Sequence, residues 1–291
     1  MRLATATLLT AALLVPASTA VGAPASSPAP GSAEAGAQHI AAIEAWQRQM
    51  FAKASPSVVF ISDGDSLGSG FFVSDDGWIL TNAHVVHGKN LWDVVLSDGQ
   101  RYRGRVMERA KDDIDLALIK IDAVRTPAMR LEAAPVEVGS WIGSVGHGLG
   151  GVWTYNTGMV SNVYPAGKRR SLFQTNVPLN PGNSGGPMFT REGRVVGVVT
   201  AGINGANNVN FGIRVDMALE YLPKLGLHCE CWVIDTKGKD PVFLDGESVG
   251  SGPRVVIPAQ DGVHELAVVH KGKRSKRKLA WPHDRYVDLS K

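Results

Sequence analysis

Between residues 57 and 215 the apolar side chains fall into short runs, each bounded by Gly, Asp, Ser or Asn. SVVFISD, GSGFFVS, WILTNAHVV, DVVLSDG, RYRGRVMERA and DLALIKI come first. SWIGSVG, YNTGMVSNVY, LFQTNVPL, the two arms of GPMFTREGRVVGVVTAG, and NVNFGIRV follow. Runs of branched and aromatic residues this short suit pleated strands rather than helices. The REG turn joins its two arms as a hairpin would. The chain's 33 glycines and 16 prolines agree with many turns. These two sets of strands predict an all-β fold of two successive six-stranded β-barrels.

The flanking segments read differently. Arg2, the apolar run LATATLLTAALLV and the small residues PASTAVGA have the order of a secretory signal peptide over residues 1–23, cleavable near Ala20 or Ala23. The run stops at Pro16, short of the roughly 20 residues a membrane span needs, so export to the periplasm or outside the cell is expected. Residues 24–38, rich in Ala, Pro and Ser, predict a flexible linker. Ile40, Ile43, Trp46, Met50 and Phe51 then recur at helical spacing, predicting a helix packed on the first barrel. A second helix is expected in DMALEYLPKLG, with Asp216 as its N-cap, Met217, Leu219, Tyr221 and Leu222 apolar, and Gly226 closing it. A boundary there separates residues 39–226 from a small β-sandwich-like domain over 227–291. In that domain CWVIDTKG, PVFLDGESVG, PRVVIPAQDG and HELAVVHKG alternate with DG and KG turns.

Only two cysteines occur, Cys229 and Cys231, so the barrels must be held by their cores alone. With only His228 beside them they read as structural cysteines and not as a zinc site. Formal net charge is +3, with Lys271, Lys273, Arg274, Lys276, Arg277 and Lys278 crowded together. Such a segment either touches an anionic envelope polymer or forms a solvated hairpin or loop. It has no interleaved aromatics, which argues against nucleic acid.

Chemistry concentrates in three places. Acyl transfer by serine needs a hydroxyl, an imidazole that takes its proton, and a carboxylate that fixes the imidazole tautomer. His84 in TNAHVV, Asp112, Asp113 or Asp115 ahead of LALIKI, and Ser184 in GNSGGP supply these types in the order His, Asp, Ser. That is the order of two-barrel proteases, and other serine hydrolase scaffolds order them differently. Glycines at 182, 185 and 186 allow a sharp turn around Ser184. Such a turn can aim the Gly182 and Ser184 amides at a developing oxyanion, with Asn183 between them. His87 and His147 lie outside these patterns and read as loop residues. Neither a cofactor nor a metal is expected.

GSGFFVSDDGWILTNAHVV, DLALIK, QTNVPLNPGNSGGP and NNVNFGIRVD together resemble the HtrA/Deg family of trypsin-fold serine proteases over roughly residues 40–225. The resemblance implies a chymotrypsin/trypsin-like pair of barrels and a serine endopeptidase acting on unfolded or exported polypeptides. It implies His84, Asp115 and Ser184 as the triad, and Asp115 over its neighbours because the family places its buried acid at the start of that strand. Leu179, Thr200, Ala201, Gly202, Asn210, Phe211 and Gly212 would line the primary substrate pocket. None is acidic, so small or medium aliphatic side chains are expected at the cleaved bond. Asn183 replaces the aspartate that pairs with a freed N-terminus in digestive relatives, which argues against activation by clipping. Loop ordering in LGGVWTYNTG and YPAGKRRS is the expected alternative. Residues 229–291 do not read as the PDZ domain common in HtrA relatives and resemble PEGA-type β-sandwich modules instead. The competing reading is a catalytically silent protease fold used as an envelope binding protein.

Overall fold

A computed structural model of the chain describes residues 30–110, 114–150, 152–164, 167, 171–202, 209–222, 225 and 231–289. The expected signal peptide, Asp112, Asp113, Gly226, His228, Cys229 and most of YPAGKRRS lie outside the described residues. Among the described residues no helix is long and apolar enough to cross a membrane.

Each run predicted for the barrels is a strand. β1 (Val58–Ser62), β2 (Leu67–Phe72), β3 (Trp78–Thr81), β4 (Leu91–Val95), β5 (Arg101–Arg109) and β6 (Ala117–Lys120) close in the order β1-β2-β3-β6-β5-β4. β7 (Trp141–Gly146), β8 (Thr154–Val163), β9 (Leu172–Thr175), β10 (Pro187–Phe189), β11 (Val195–Gly202) and β12 (Asn210–Arg214) close in the order β10-β11-β12-β9-β8-β7. Neighbouring strands are antiparallel throughout both barrels.

The two-residue period of a strand explains why several of these runs are apolar at every position. Val59, Ile61, Phe72, Ile79 and Ile119 fill the first barrel. Their chain neighbours Val58, Phe71, Leu80 and Leu118 point the other way, into a cluster shared with Val145, Phe189, Val198 and Ile213 of the second barrel. Ile142, Val160, Phe173, Met188 and Val199 fill the second. The two barrels are therefore joined by an apolar seam, and the polar site sits at one end of it.

The first helix, α1, spans Pro30–Ala54 and so takes in residues 30–38, which composition had assigned to a flexible linker. Alanine has the highest helix propensity of any residue, and Pro30 stands at the start, where its missing N–H forfeits no bond. Ile40 and Ile43 are exposed. Trp46 meets Trp141 of β7 edge-on at 4.9 Å, and Phe51 lies 5.9 Å from Tyr155 of β8. These ring contacts run to the second barrel and not to the first, because it is β7 and β8 that present aromatic partners.

β12 leads into α2 (Val215–Tyr221). Asp216 does not cap it: Arg214 occupies the N-cap position, and the Asp216 carboxylate is taken by the Arg214 guanidinium, with Nε donating to Oδ1 at 3.0 Å. Ala218, Leu219 and Leu222 are fully buried in the cluster that joins the barrels, which continues through Leu225 to Cys231 and Val233. Cys231 is disulfide-bonded, and the only other cysteine in the sequence is Cys229.

Beyond it lie two small sheets. β13 (Cys231–Asp235), β16 (Arg254–Pro258) and β19 (Tyr286–Asp288) form one, and β14 (Pro241–Leu244), β15 (Glu247–Ser251), β17 (Val263–His270) and β18 (Lys273–Ala280) the other. Trp232, Ile234, Val242, Leu266, Val268 and Leu279 form a core of their own. Asp245-Gly246 and Lys271-Gly272 turn two hairpins with positive φ at both residues, as two-residue loops of the right twist require. The basic run is β18, exposed from Lys273 to Lys278. Several of its cations are satisfied within the molecule: Arg274 stacks over Phe243, Lys276 pairs with Glu265 at 2.8 Å, and Arg277 pairs with Asp284 at 3.3 Å.

Because α2 shares its core with both neighbours, Leu219→Ala should cost about 2–5 kcal/mol. Chemical denaturation followed separately by Trp fluorescence and far-UV circular dichroism should show one common, lowered midpoint. A midpoint unchanged from the parent protein would contradict the shared core.

Candidate active site

The site is assembled from both barrels. His84 lies in the turn that follows β3, Asp115 just ahead of β6, and Ser184 in the turn that precedes β10. The His84 ring contacts Asp115, Nδ1 to Oδ2, at 2.6 Å, and the His84 backbone N–H donates to Asp115 Oδ1 at 2.9 Å. Asn82 Nδ2 donates to the Asp115 carbonyl at 2.8 Å, which ties the turn carrying the histidine to the segment carrying the acid ahead of β6. The acceptor role of a carboxylate at Nδ1 places the ring proton there and leaves Nε2 as the basic nitrogen.

Thr200, at the end of β11, reaches across from the second barrel and donates its hydroxyl to Asp115 Oδ2 at 3.1 Å. The Thr200 carbonyl accepts from Ser184 Oγ at 3.4 Å. No hydrogen bond joins Ser184 Oγ to the His84 ring among the described residues. His87 is exposed, and it meets the cluster through its backbone N–H, which donates to the His84 carbonyl at 3.4 Å.

The turn around Ser184 is held from three sides. Ser69 N–H of β2 donates to the Ser184 carbonyl at 2.8 Å, Gly185 N–H donates to Val199 O at 2.9 Å, and Val199 N–H donates to Gly186 O at 2.9 Å. Gly185 has φ +85°, and a Cβ there would fall 2.1 Å from Ser69 O. Gly182 has φ +100°, and a Cβ there would fall 2.4 Å from His147 O. Both glycines are thus required by backbone conformation and by space. The Asn183 N–H donates to Asn180 O at 3.0 Å, so among the three amides expected at an oxyanion site it is committed elsewhere. Those of Gly182 and Ser184 have no acceptor among the described residues. The Asn183 side chain is buried with neither Oδ1 nor Nδ2 hydrogen-bonded, packed where Gly146 and Gly148 leave room.

The remaining candidate residues surround the same end of the second barrel. Leu179 is half-buried against its core. Asn210 Nδ2 donates to Val177 O at 2.8 Å, and the Phe211 ring lies 6.4 Å from Tyr164. A Cβ on Gly212 would meet Phe173 and Met188 at 2.7 Å, so this position faces the barrel interior. Ala201 and Gly202 close β11, and the segment that follows them, 203–208, lies outside the described residues.

A family model described as the trypsin-like peptidase domain matches residues 68–198, which contain β3 to β10, His84, Asp115 and Ser184. Over residues 68–198 the chain is similar to that domain. It is 35% identical over 167 residues to a DegP-like periplasmic serine endoprotease of Halomonas elongata, covering 55% of this chain and 35% of that protein. It is 36% identical over 215 residues to a DegP-like periplasmic serine endoprotease of Pseudomonas savastanoi pv. phaseolicola, covering 68% of this chain and 44% of that protein. The chain thus spans less than half the length of these curated relatives. The crystal structure of the serine endoprotease from Yersinia pestis superimposes with a TM-score of 0.56 at 22% identity, over 80% of this chain and 96% of that one, a likeness of fold. The pair of closed six-stranded barrels is thus a fold shared with that solved structure.

Two residues of this domain that sequence reasoning passed over stand beside the site. Ser69 lies in the matched motif GSGFFV, and nothing in its local sequence marks its contacts with residues 78 and 113 positions away. His147, read as a loop residue, is fully buried. Burial pushes its pKa down to about 4 from the ordinary 6.5, because a charge there loses its hydration. A base whose pKa is lower folded than unfolded binds fewer protons in the folded state between those values. Its contribution to stability is complete above about pH 6.5 and is lost as pH falls through 4, a loss of roughly 3 kcal/mol for a fully buried group. Urea midpoints at pH 7 and pH 4.5 should therefore draw apart more in the parent protein than in His147→Phe; equal separations would show that this histidine is not buried neutral.

Proposed function

We propose that the chain is a serine endopeptidase in which Ser184 attacks the peptide carbonyl, His84 takes and returns the proton, and Asp115 holds the imidazole. The observation that carries this reading is the convergence on one carboxylate. Asp115 receives the His84 ring, the His84 backbone N–H and the Thr200 hydroxyl, so the imidazole is oriented from both barrels at once. A carboxylate held this way keeps the tautomer that leaves Nε2 free to act as base, and it stabilises the imidazolium that forms. The Ser184–His84 hydrogen bond forms in the substrate complex, since such bonds are commonly long in the unliganded enzyme and tighten on binding.

The free Gly182 and Ser184 amides would receive the oxyanion of the tetrahedral intermediate. Donors fixed by the fold cost no reorganisation when the charge develops there. Asn183 contributes through its neighbours' geometry and not through its own committed amide. Leu179, Thr200, Ala201, Gly202, Asn210, Phe211 and Gly212 would form or support the primary pocket. With no acid among them, small or medium aliphatic residues are favoured at the cleaved bond. The peptidase domain occupies residues 39–226, and its natural setting is outside the cytoplasm, as it is for the relatives named periplasmic. Its substrates are polypeptides.

Three measurements test this. Purified protein should react with a fluorophosphonate probe and hydrolyse unfolded casein, and Ser184→Ala should lower turnover by about 10⁴ to 10⁶ because the three groups act as a unit. Equal hydrolysis by both proteins would instead leave a silent scaffold with a contaminating activity. In a peptide library, cleavage should concentrate after aliphatic residues, and frequent cleavage after Arg or Lys would refute the apolar pocket.

A further inference from the structure

Behind the two free amides lies a second polar arrangement that the triad does not use. Each oxyanion-facing N–H shares a rigid peptide plane with the carbonyl of the preceding residue, and the two point in opposite directions. Whatever holds that carbonyl therefore aims the N–H. For Ser184 the partner carbonyl is that of Asn183, which accepts from Gly186 N–H at 2.9 Å within the same turn. For Gly182 it is that of Pro181, which accepts from Leu149 N–H at 2.7 Å. Leu149 belongs to a different segment and adopts φ +54°, a conformation unfavourable for a branched side chain. The aim of the Gly182 amide thus depends on how firmly residues 147–150 are held.

His147 is what holds them. Its backbone N–H donates to Ser69 Oγ at 3.1 Å, its Nδ1 lies 3.1 Å from the same oxygen, and its carbonyl accepts from Gly150 N–H at 3.1 Å. Ser69 Oγ in turn donates to the Gly182 carbonyl at 2.8 Å, which fixes the next peptide plane along. The proton count assigns the tautomer. Ser69 has one hydroxyl proton and spends it on Gly182, so the histidine must supply the proton between Nδ1 and Ser69. Nε2 then carries a bare lone pair, and it has no hydrogen-bond partner. The ring is held edge-on between Phe60, at 5.2 Å, and Trp153, at 4.7 Å. Trp153 is itself anchored by Nε1 to Val58 O at 3.0 Å. A wedge of β1, the ring of Trp153 and the hydroxyl of β2 thus converge on one imidazole.

We infer that His147 is a positioning residue for the oxyanion-binding amide of Gly182, acting through Ser69 on the Gly182 carbonyl and through Leu149 on the Pro181 carbonyl. The inference deepens the endopeptidase reading and rests on it. Loss of the Nδ1 donor frees Ser69 to turn away from Gly182, and loss of the wedge frees residues 147–150, so the Gly182 peptide can rotate out of line while Ser184, His84 and Asp115 stay in place. A donor pointed elsewhere weakens binding of the developing oxyanion without touching recognition of the substrate chain.

The full-length protein should be compared with His147→Phe, which keeps the ring and removes the donor, with His147→Asn, which keeps a donor and removes the ring, and with Ser69→Ala. For a chromogenic peptide, His147→Phe and Ser69→Ala should each lower kcat about tenfold to a hundredfold with KM within twofold. Affinity for a peptide aldehyde, which mimics the tetrahedral oxyanion, should fall in parallel, and His147→Asn should recover part of both. Hydrogen exchange at residues 147–150 and 181–184 should accelerate in His147→Phe while β1 to β6 keep their protection. Unchanged kcat and aldehyde affinity in both folded variants would overturn the assignment, and so would a rise in KM accompanied by faster exchange throughout the barrels, which marks general loosening. Failure of the parent protein to bind the fluorophosphonate would refute the endopeptidase reading instead. The exchange comparison reads the clasp without turnover, and unaltered exchange at Leu149 would then remove the clasp as well.

Discussion

The structure depends on the strand β2 being shared, through Ser69, by two barrels. The Ser69 N–H donates to the Ser184 carbonyl, the Ser69 carbonyl accepts from the Thr81 hydroxyl at 2.7 Å, and the Ser69 hydroxyl serves His147 and Gly182. An apolar seam can bring two barrels together but has no preference for register, since apolar contact is non-directional. Hydrogen bonds at the open end of the seam supply the direction. Thr200 completes the junction from the other side by placing its hydroxyl on Asp115.

Much of this fold was readable because its signals are local. Each barrel strand is a short apolar run between turn residues, and the hairpins at Asp245-Gly246 and Lys271-Gly272 are spelled out by their own dipeptides. Where the sequence misled, the deciding contact was distant or a local preference was overruled. Asp216 has the composition of an N-cap, yet the adjacent Arg214 captures its carboxylate. Residues 30–38 look like a linker by their Pro and Ser content, while their alanines favour a helix once α1 is nucleated further along. The basic run from Lys273, by contrast, is one arm of the solvated hairpin its composition allowed, with β17 supplying the pairing and Glu265 one of the countercharges.

The candidate site divides in the same way. His84, Asp115 and Ser184 each sit in a motif that can be recognised by eye, and the first two lie in direct contact. Thr200 was legible only as a pocket residue, since its hydroxyl contact with Asp115 spans 85 positions. Ser69 and His147 are 78 positions apart, and neither looks unusual in its own neighbourhood. A glycine-rich loop with one histidine predicts a surface turn, and it becomes a buried polar clasp only because Phe60 and Trp153 close over it.

Closure of both barrels has a consequence for the company this chain can keep. A strand at the margin of an open sheet offers its backbone to any extended polypeptide that passes. The first two sheets have no margin to offer. The four-stranded sheet does, and on one side its outermost strand is β18, whose exposed positions carry Lys273, Arg274, Lys276, Arg277 and Lys278. A second chain laid against that strand would have to bring those cations together with its own side chains or strip their water. The basic run thus lays a line of charge along that margin, the kind of edge that discourages a second strand from pairing there.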